Sequence, residues 1–275
     1  MTRIFLLSVS LWLLTACSDQ QDPPETNLVT ESTEVQMGTV VESDISPDEV
    51  EGPQPIIEYI WHKAGPQFSE EALAEAANTW NGLINDGPYE ITFANILTPH
   101  ADNEDYDFVW VILWESMEAR NAGWDYWKNN QEVEWRAATS QLLSYSEEGA
   151  YSFSPTIQRP PSVESDSPDF EIQFQFCNYG EGVTAEQYSA FQAEYETWLD
   201  DYEVANGPMG YWYVALEPQF EMEDPNDFVW LHIWPNAEDK ATGMTAWAQS
   251  PLFDQWQSLA TCELVDFSGR RIRSS

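Results

Sequence analysis

The chain has 275 residues, of which 43% are hydrophobic and 14 are tryptophan; that is enough apolar surface for a core, so disorder of the whole chain is excluded. Its 48 acidic residues against 10 basic ones leave a formal net charge of -38. A surface that negative repels phosphate backbones, which makes nucleic acid a poor partner, and it favours solubility in salty surroundings, cations or basic partners.

At the start of the chain a basic Arg3 precedes an apolar run, Ile4 to Leu14, broken only by Ser8 and Ser10. A run of about eleven residues is too short to cross a bilayer as a helix and fits a signal-peptide core. It ends in Leu14-Thr15-Ala16-Cys17, which resembles the bacterial lipoprotein signal, where a small residue precedes a cysteine that becomes lipidated and N-terminal. The resemblance implies lipidation at Cys17 and, with Ser18 rather than an aspartate next, an outer-membrane location in the bacterial envelope, facing the periplasm. The acyl anchor would then be the chain's one contact with the membrane. Ordinary secretion with an incidental cysteine is the alternative. Residues 18–54 are acidic, rich in Pro, Ser and Thr, and without a sustained apolar period; they predict a disordered, extended tether.

Past the tether, the elements come twice. IIEYIWHK, from Ile56, reads as a strand, and SEEALAEAANTWNGLI as a helix with Ser69 as N-cap and Leu73, Ala76, Trp80 and Leu83 on one face. YEITFANIL and FVWVILW form a hairpin, and a helix follows from about Met117 to Leu142. EIQFQFC then opens a second series, with a capping box at Thr184 and Gln187 and a helical stripe of Tyr188, Phe191, Tyr195 and Trp198. YWYVALE, FVWLHIW and a last strand, ELVDFSG, complete it. A constant offset of 120 residues takes Phe108 to Phe228, Trp110 to Trp230, Trp114 to Trp234, Gly123 to Gly243 and Trp127 to Trp247. The pattern predicts an α+β chain of two tandem ferredoxin-like βαββαβ repeats, residues 55–163 and 164–275, packed like a fused homodimer and therefore monomeric.

Strand residues alternate between faces. In FVWLHIW the aliphatic Val229, Leu231 and Ile233 are expected under the helices, and Phe228, Trp230, His232 and Trp234 on the opposite side. The same logic puts Ile172, Phe174 and Phe176 under helices, against Gln173, Gln175 and Cys177. Tryptophans left in water would make a large adhesive patch, so the two sheets are expected to press these faces together and enclose an aromatic-lined cavity inside a barrel.

FVWVILWESMEARNAGWDYW and FVWLHIWPNAEDKATGMTAW resemble the dimeric α/β-barrel superfamily, in particular its antibiotic-biosynthesis monooxygenase type. The shared pattern is an aromatic-rich strand ending in Trp-Glu-Ser, then a helix carrying another Trp. Trp114-Glu115-Ser116 fits it well and Trp234-Pro235-Asn236 loosely. The resemblance implies an intramolecular dimeric α/β barrel. It leaves function open, because the superfamily holds cofactor-free and heme-degrading oxygenases, isomerases, heme peroxidases and members without known catalysis. The heme-degrading members use an Asn on the first strand, the Trp that ends the third, and a His on the second helix. Trp114 and Trp234 match the Trp; the first strands offer Glu58, or Gln173 and Gln175, and the His positions fall on Ala137 and Gln257. The axial ligand is missing, and no cofactor is expected. The fold further implies that Cys177 and Cys262 lie at one pole on neighbouring strands, where an oxidising compartment would join them in a disulfide; two buried thiols are the alternative.

His232 is the leading catalytic candidate, since an imidazole among Phe228, Trp230 and Trp234 would stay neutral and could take a proton from a phenol or enol. A hydrogen-bonded core histidine is the plain structural reading. His62 is the second candidate, two and four residues along one strand face from Ile60 and Glu58; with Glu58 it could share a proton or a metal. His100 is expected to be exposed, and no metal site is expected from three scattered histidines. The acidic stretches 102–107 and 221–227 read as turns. Ligand-binding candidates are Glu58, Phe108, Trp110, Trp114, Gln173, Gln175, Phe228, Trp230 and Trp234. The leading expectation is a small aromatic or hydrophobic ligand; a cofactor-independent monooxygenase or isomerase with a histidine base, and a non-catalytic envelope interaction protein, are the other two.

Overall fold

A computed structural model describes residues 52–222 and 225–274. Cys17, the leader, the tether as far as residue 51 and part of the 221–227 loop lie outside the described residues. Among the described residues no helix is long and apolar enough to cross a membrane.

The first half runs β1 (Ile56–Ala64), α1 (Glu70–Asn85), β2 (Ile91–Pro99), β3 (Phe108–Trp114), α2 (Met117–Asn130), α3 (Glu132–Thr139) and β4 (Leu143–Arg159). The second repeats the order: β5 (Asp169–Tyr179), α4 (Ala185–Asn206), β6 (Trp212–Pro218), β7 (Phe228–Trp234), α5 (Ala237–Ala248), α6 (Phe253–Leu259) and β8 (Ala260–Ser274). Local chemistry starts the helices. The Ser69 side chain accepts from Ala72 N, Ser116 from Ala119 N and Asn236 from Asp239 N, while Thr184 and Gln187 close a capping box. The Trp-Glu-Ser and Trp-Pro-Asn motifs are thus one device, a strand end followed two residues later by an N-cap.

The eight strands close into an antiparallel barrel in the order β1-β3-β2-β8-β5-β7-β6-β4. Closure depends on the two long strands. β4 pairs with β1 through its first part and with β6 through its last, and β8 runs from β5 on to β2. Each therefore belongs to both halves, and among the described residues no sheet edge remains to pair with another chain. The helix expected from Met117 to Leu142 is broken at Gln131. The Gln131 side chain accepts from the Tyr89 hydroxyl at 2.5 Å and donates to Leu83 O at 3.0 Å, which fastens the break to α1.

The expected faces are inverted. Val229, Leu231 and Ile233 point into the barrel, packed with Val109, Val111, Ile172, Phe174 and Phe267 from both halves. Trp230 and Trp234 lie beneath α4 and α6, and Trp110 and Trp114 beneath α1 and its neighbours. Gln173, Gln175 and Cys177 are on the helix side as well, Cys177 with no exposed surface. The reason is room. An eight-stranded barrel is just wide enough for side chains to fill, and aliphatics interleaved with Tyr59, Tyr106, Phe153, Phe174 and Phe267 do so; the Tyr59 ring meets Phe153 and Phe174 at 5.7 and 5.2 Å. Rows of indoles need the wider groove between sheet and helices. No aromatic-lined cavity between the two sheets is compatible with this arrangement.

Cys177 and Cys262 sit opposite each other on β5 and β8 and are joined by a disulfide.

Candidate functional site

A cavity of about 520 Å³ lies between the sheet and the helices of the second half. Its floor is Tyr211 together with Trp230, His232 and Trp234 of β7, and Gln175 reaches it from β5. α4 supplies one wall through Tyr195, Trp198 and Tyr202, and α5 the other through Met244 and Trp247. Residues 163–165 and 206–210 form the mouth. Ser162 N and Val163 N both donate to Met209 O, which holds the segment joining the two halves across that mouth. α4 ends there on Gly207, whose φ of 94° suits glycine.

The corresponding space in the first half is about 50 Å³. Two differences account for this. Trp124, which lines the small space, stands where the 120-residue offset puts Met244; around it Trp80, Trp110, Trp127 and Trp135 pack ring against ring. α4 has 22 residues and α1 has 16, so α4 extends the wall by about 9 Å, and Tyr202 and Asn206 lie on that extension. Gly123 and Gly243 serve the same purpose in each half. A Cβ on Gly123 would stand 2.5 Å from the Trp114 ring, and one on Gly243 would stand 3.2 Å from Trp234 Nε1. A side chain is excluded at Gly123, and at Gly243 it would fit only if the Trp234 ring gave way by a few tenths of an ångström.

His232 is 5% exposed and stacks against Tyr211 and Tyr213. Its Nδ1 lies 2.7 Å from the Tyr211 hydroxyl, which lies 2.9 Å from the Tyr195 hydroxyl. Its Nε2 has no hydrogen-bond partner. Burial holds the imidazole down at about 3, so it is neutral at physiological pH. The Tyr211 and Tyr195 hydroxyls are pushed well up by burial. The three side chains therefore form a neutral hydrogen-bonded row with two proton arrangements. Either each hydroxyl donates toward Nδ1 and Nε2 carries the proton, or Nδ1 donates outward and the Tyr195 proton is free for an acceptor in the cavity.

The remaining candidates divide between the halves. Trp230, Trp234, Gln175 and His232 line the cavity. Gln173 is beside them but engaged: the Gln175 amide donates to its oxygen at 3.0 Å and its own amide donates to Asp266 at 3.0 Å. Phe228 packs on Tyr179 and Tyr188, away from the opening. Glu58, Phe108, Trp110, Trp114 and His62 belong to the filled half. The Glu58 carboxylate, with no exposed surface, accepts from Arg120 Nε at 2.8 Å, from Trp114 Nε1 at 3.0 Å and from Trp124 Nε1 at 3.0 Å. That is a satisfied buried ion pair, and it does not involve His62. The His62 ring has Nδ1 2.8 Å from Ile60 O, stacks on Phe108, and is held down at about 4, mainly by burial. His100 is exposed, 3.1 Å from Glu171. No group of three potential metal ligands occurs among the described residues.

Sequence reasoning missed Tyr211, Tyr195, Trp198, Met244 and Trp247 as cavity walls. The signal that could have revealed them was Met244 standing opposite Trp124 at the constant offset. The residues present do not fit heme. Ala137 and Gln257 are both exposed, while the neighbouring inward positions are Trp135 and Trp256. His232 presents no accessible nitrogen to an iron.

No protein-family model matches the sequence, and no curated protein matches it. Solved structures with a similar backbone course include a protein assigned as a monooxygenase from Fusobacterium nucleatum, at 9% identity over 80% of this chain and 94% of that one, TM-score 0.49. A chlorite dismutase from Candidatus Nitrospira defluvii, with two substitutions, is similar at 10% identity over 79% and 92%, TM-score 0.49. An anthrone oxidase-like protein is similar at 9% identity over 81% and 93%, TM-score 0.47. Likeness of this degree concerns the course of the chain and carries nothing about its chemistry.

Proposed function

We propose that the second-half cavity binds a small aromatic or hydrophobic molecule. The observation behind this is the contrast between two otherwise parallel halves: one is packed solid with tryptophan, while the other keeps about 520 Å³ under the same kind of wall. A space of that size, lined mainly by aromatic rings with a few polar groups, suits a compact ligand. Rings stacked on Trp234 or Trp247 would bury apolar area, while Gln175 and the Tyr195 end of the hydroxyl row would fix the orientation of one hydroxyl or carbonyl.

On this reading the chain is a fused duplication of a ferredoxin-like unit. It works as a monomer and hangs from the outer membrane by an acyl chain on Cys17 and an acidic tether. The leader sequence and the 120-residue offset support that part. The test is Met244→Trp, which copies the first half into the second. Titration of the full chain with 4-tert-butylphenol, followed by tryptophan fluorescence, should saturate in the parent and fail in the variant, with thermal stability kept. Equal affinity in both proteins would refute the assignment.

A second reading, a cofactor-independent monooxygenase or isomerase, is favoured by one feature, the unpartnered His232 at the end of a hydroxyl row. Its low basicity weighs against it. Holding an imidazole at about 3 instead of 6.5 disfavours the imidazolium by about 5 kcal/mol, which a substrate anion formed beside it would have to offset. His62 has no room for a substrate. If turnover is found, His232→Ile should abolish it and leave folding intact; turnover that survives shows His232 is not the base.

A further inference from the structure

Charge around the cavity is one-sided. Asp239 and Glu164 line it, and among the described residues no lysine or arginine does. Two basic groups that touch the helices or strands around the cavity are each already neutralised. Arg159 binds Glu196 at 2.8 Å and Asp200 and Glu203 at 2.9 Å, three carboxylates to one guanidinium. Lys240 binds Asp266 at 2.7 Å and also stands near Glu171. His232 adds no positive charge. The walls themselves are electron-rich faces set at angles to one another: Tyr195, Trp198 and Trp247 lie mutually within 5.8 Å between ring centres, with Trp247 turned 76° to Tyr195 and 59° to Trp198. The three rings pack on one another as a single electron-rich wall, and the faces it turns to the cavity, with carboxylates at the rim, attract a cation seated against them. Among the described residues the lining holds no positive charge for a carboxylate or phosphate.

We propose that the ligand of this cavity is an organic cation, a compact apolar or aromatic body carrying one permanent positive charge of the trimethylammonium kind. The proposal rests on the reading of the cavity as a binding site and narrows it to one chemical class. Trp198 and Trp247 face the charge, Asp239 and Glu164 draw it in from solvent, and Gln175 in the floor receives the ligand's uncharged polar end. The strongly acidic surface of the whole chain raises the local concentration of such a ligand.

Three para-substituted phenols test this on the full chain: 4-hydroxy-N,N,N-trimethylanilinium, its neutral isostere 4-tert-butylphenol, and the anion 4-hydroxybenzoate. Calorimetric titration should give the cation at least tenfold tighter than the isostere, with the anion weakest. Asp239→Asn combined with Glu164→Gln should reduce the cation's advantage severalfold and leave the isostere unchanged. Trp198→Leu should lower the cation's affinity more than the isostere's, with circular dichroism checking the fold of each variant. If the isostere binds as tightly as the cation, or the anion binds best, the cation assignment is overturned while the binding cavity stands. If none of the three binds, the cavity reading falls and takes this inference with it.

Discussion

Replacing His232 by isoleucine, the residue at the matching position 112, tests the physics of the site without reference to any ligand. In the folded chain His232 takes up a proton only near pH 3, because burial disfavours the imidazolium; in the unfolded chain it does so near 6.5. Between those values the unfolded state holds more protons, so stability falls as pH falls from 6.5 toward 3. The slope contributed by this one group approaches 1.4 kcal/mol per pH unit, and over the whole interval it amounts to about 5 kcal/mol. The variant lacks that contribution. It also sheds a buried nitrogen that has no partner, a removal worth about 1–3 kcal/mol, and gives up the Nδ1–Tyr211 hydrogen bond, worth about 1 kcal/mol, while Tyr211 keeps its bond to Tyr195. The expected result is a variant at least as stable as the parent at pH 7, with an advantage that widens at pH 6, 5 and 4. Urea unfolding followed by circular dichroism at each pH measures it. Taking the difference between the proteins cancels the carboxylates and His62, which titrate alike in both. Parallel stability curves would mean that His232 is not held neutral in the folded chain, and the electrostatic account of the site would be wrong.

Arg120→Leu leaves the fully buried Glu58 carboxylate without a charged partner, and should cost about 3–5 kcal/mol. Adding Glu58→Gln should restore part of that loss, read from the urea midpoint. The Cys177–Cys262 bridge closes 85 residues of chain, for which loop entropy predicts about 4.5 kcal/mol. Reduction by dithiothreitol should therefore lower the melting temperature by roughly 10 °C, and an unchanged melt would show that the barrel alone constrains those strands.

Much of the candidate site was legible in residue types but not in placement. A histidine replacing isoleucine in the second FVW strand marked the half that differs, and it is the half with the cavity. Glu58 and His62 looked equally suggestive, since a carboxylate and an imidazole on one strand face suit chemistry. Their partners decide otherwise: Arg120 is 62 residues from Glu58 in the chain, and the indoles that satisfy the carboxylate come from β3 and α2. No local pattern announces such a pairing. The reverse holds for the cavity walls, where Tyr195 and Trp198 read as ordinary stripe residues because a helix that packs against a sheet and one that roofs a cavity have the same periodicity.

From its sequence alone the chain's element order is determined, together with its helix starts and the alternation of its strands, because capping, turn chemistry and period-two patterning act within a few residues. Which strand face lies inside was decided only by closure. Alternation names two faces and is silent on direction when both are apolar, and here both are buried, one in the barrel and one under helices. The size of the barrel, a property of eight strands together, admits the aliphatic row and leaves the indoles to the outer groove. The cavity exists because in one half that groove is longer than its tryptophans can fill.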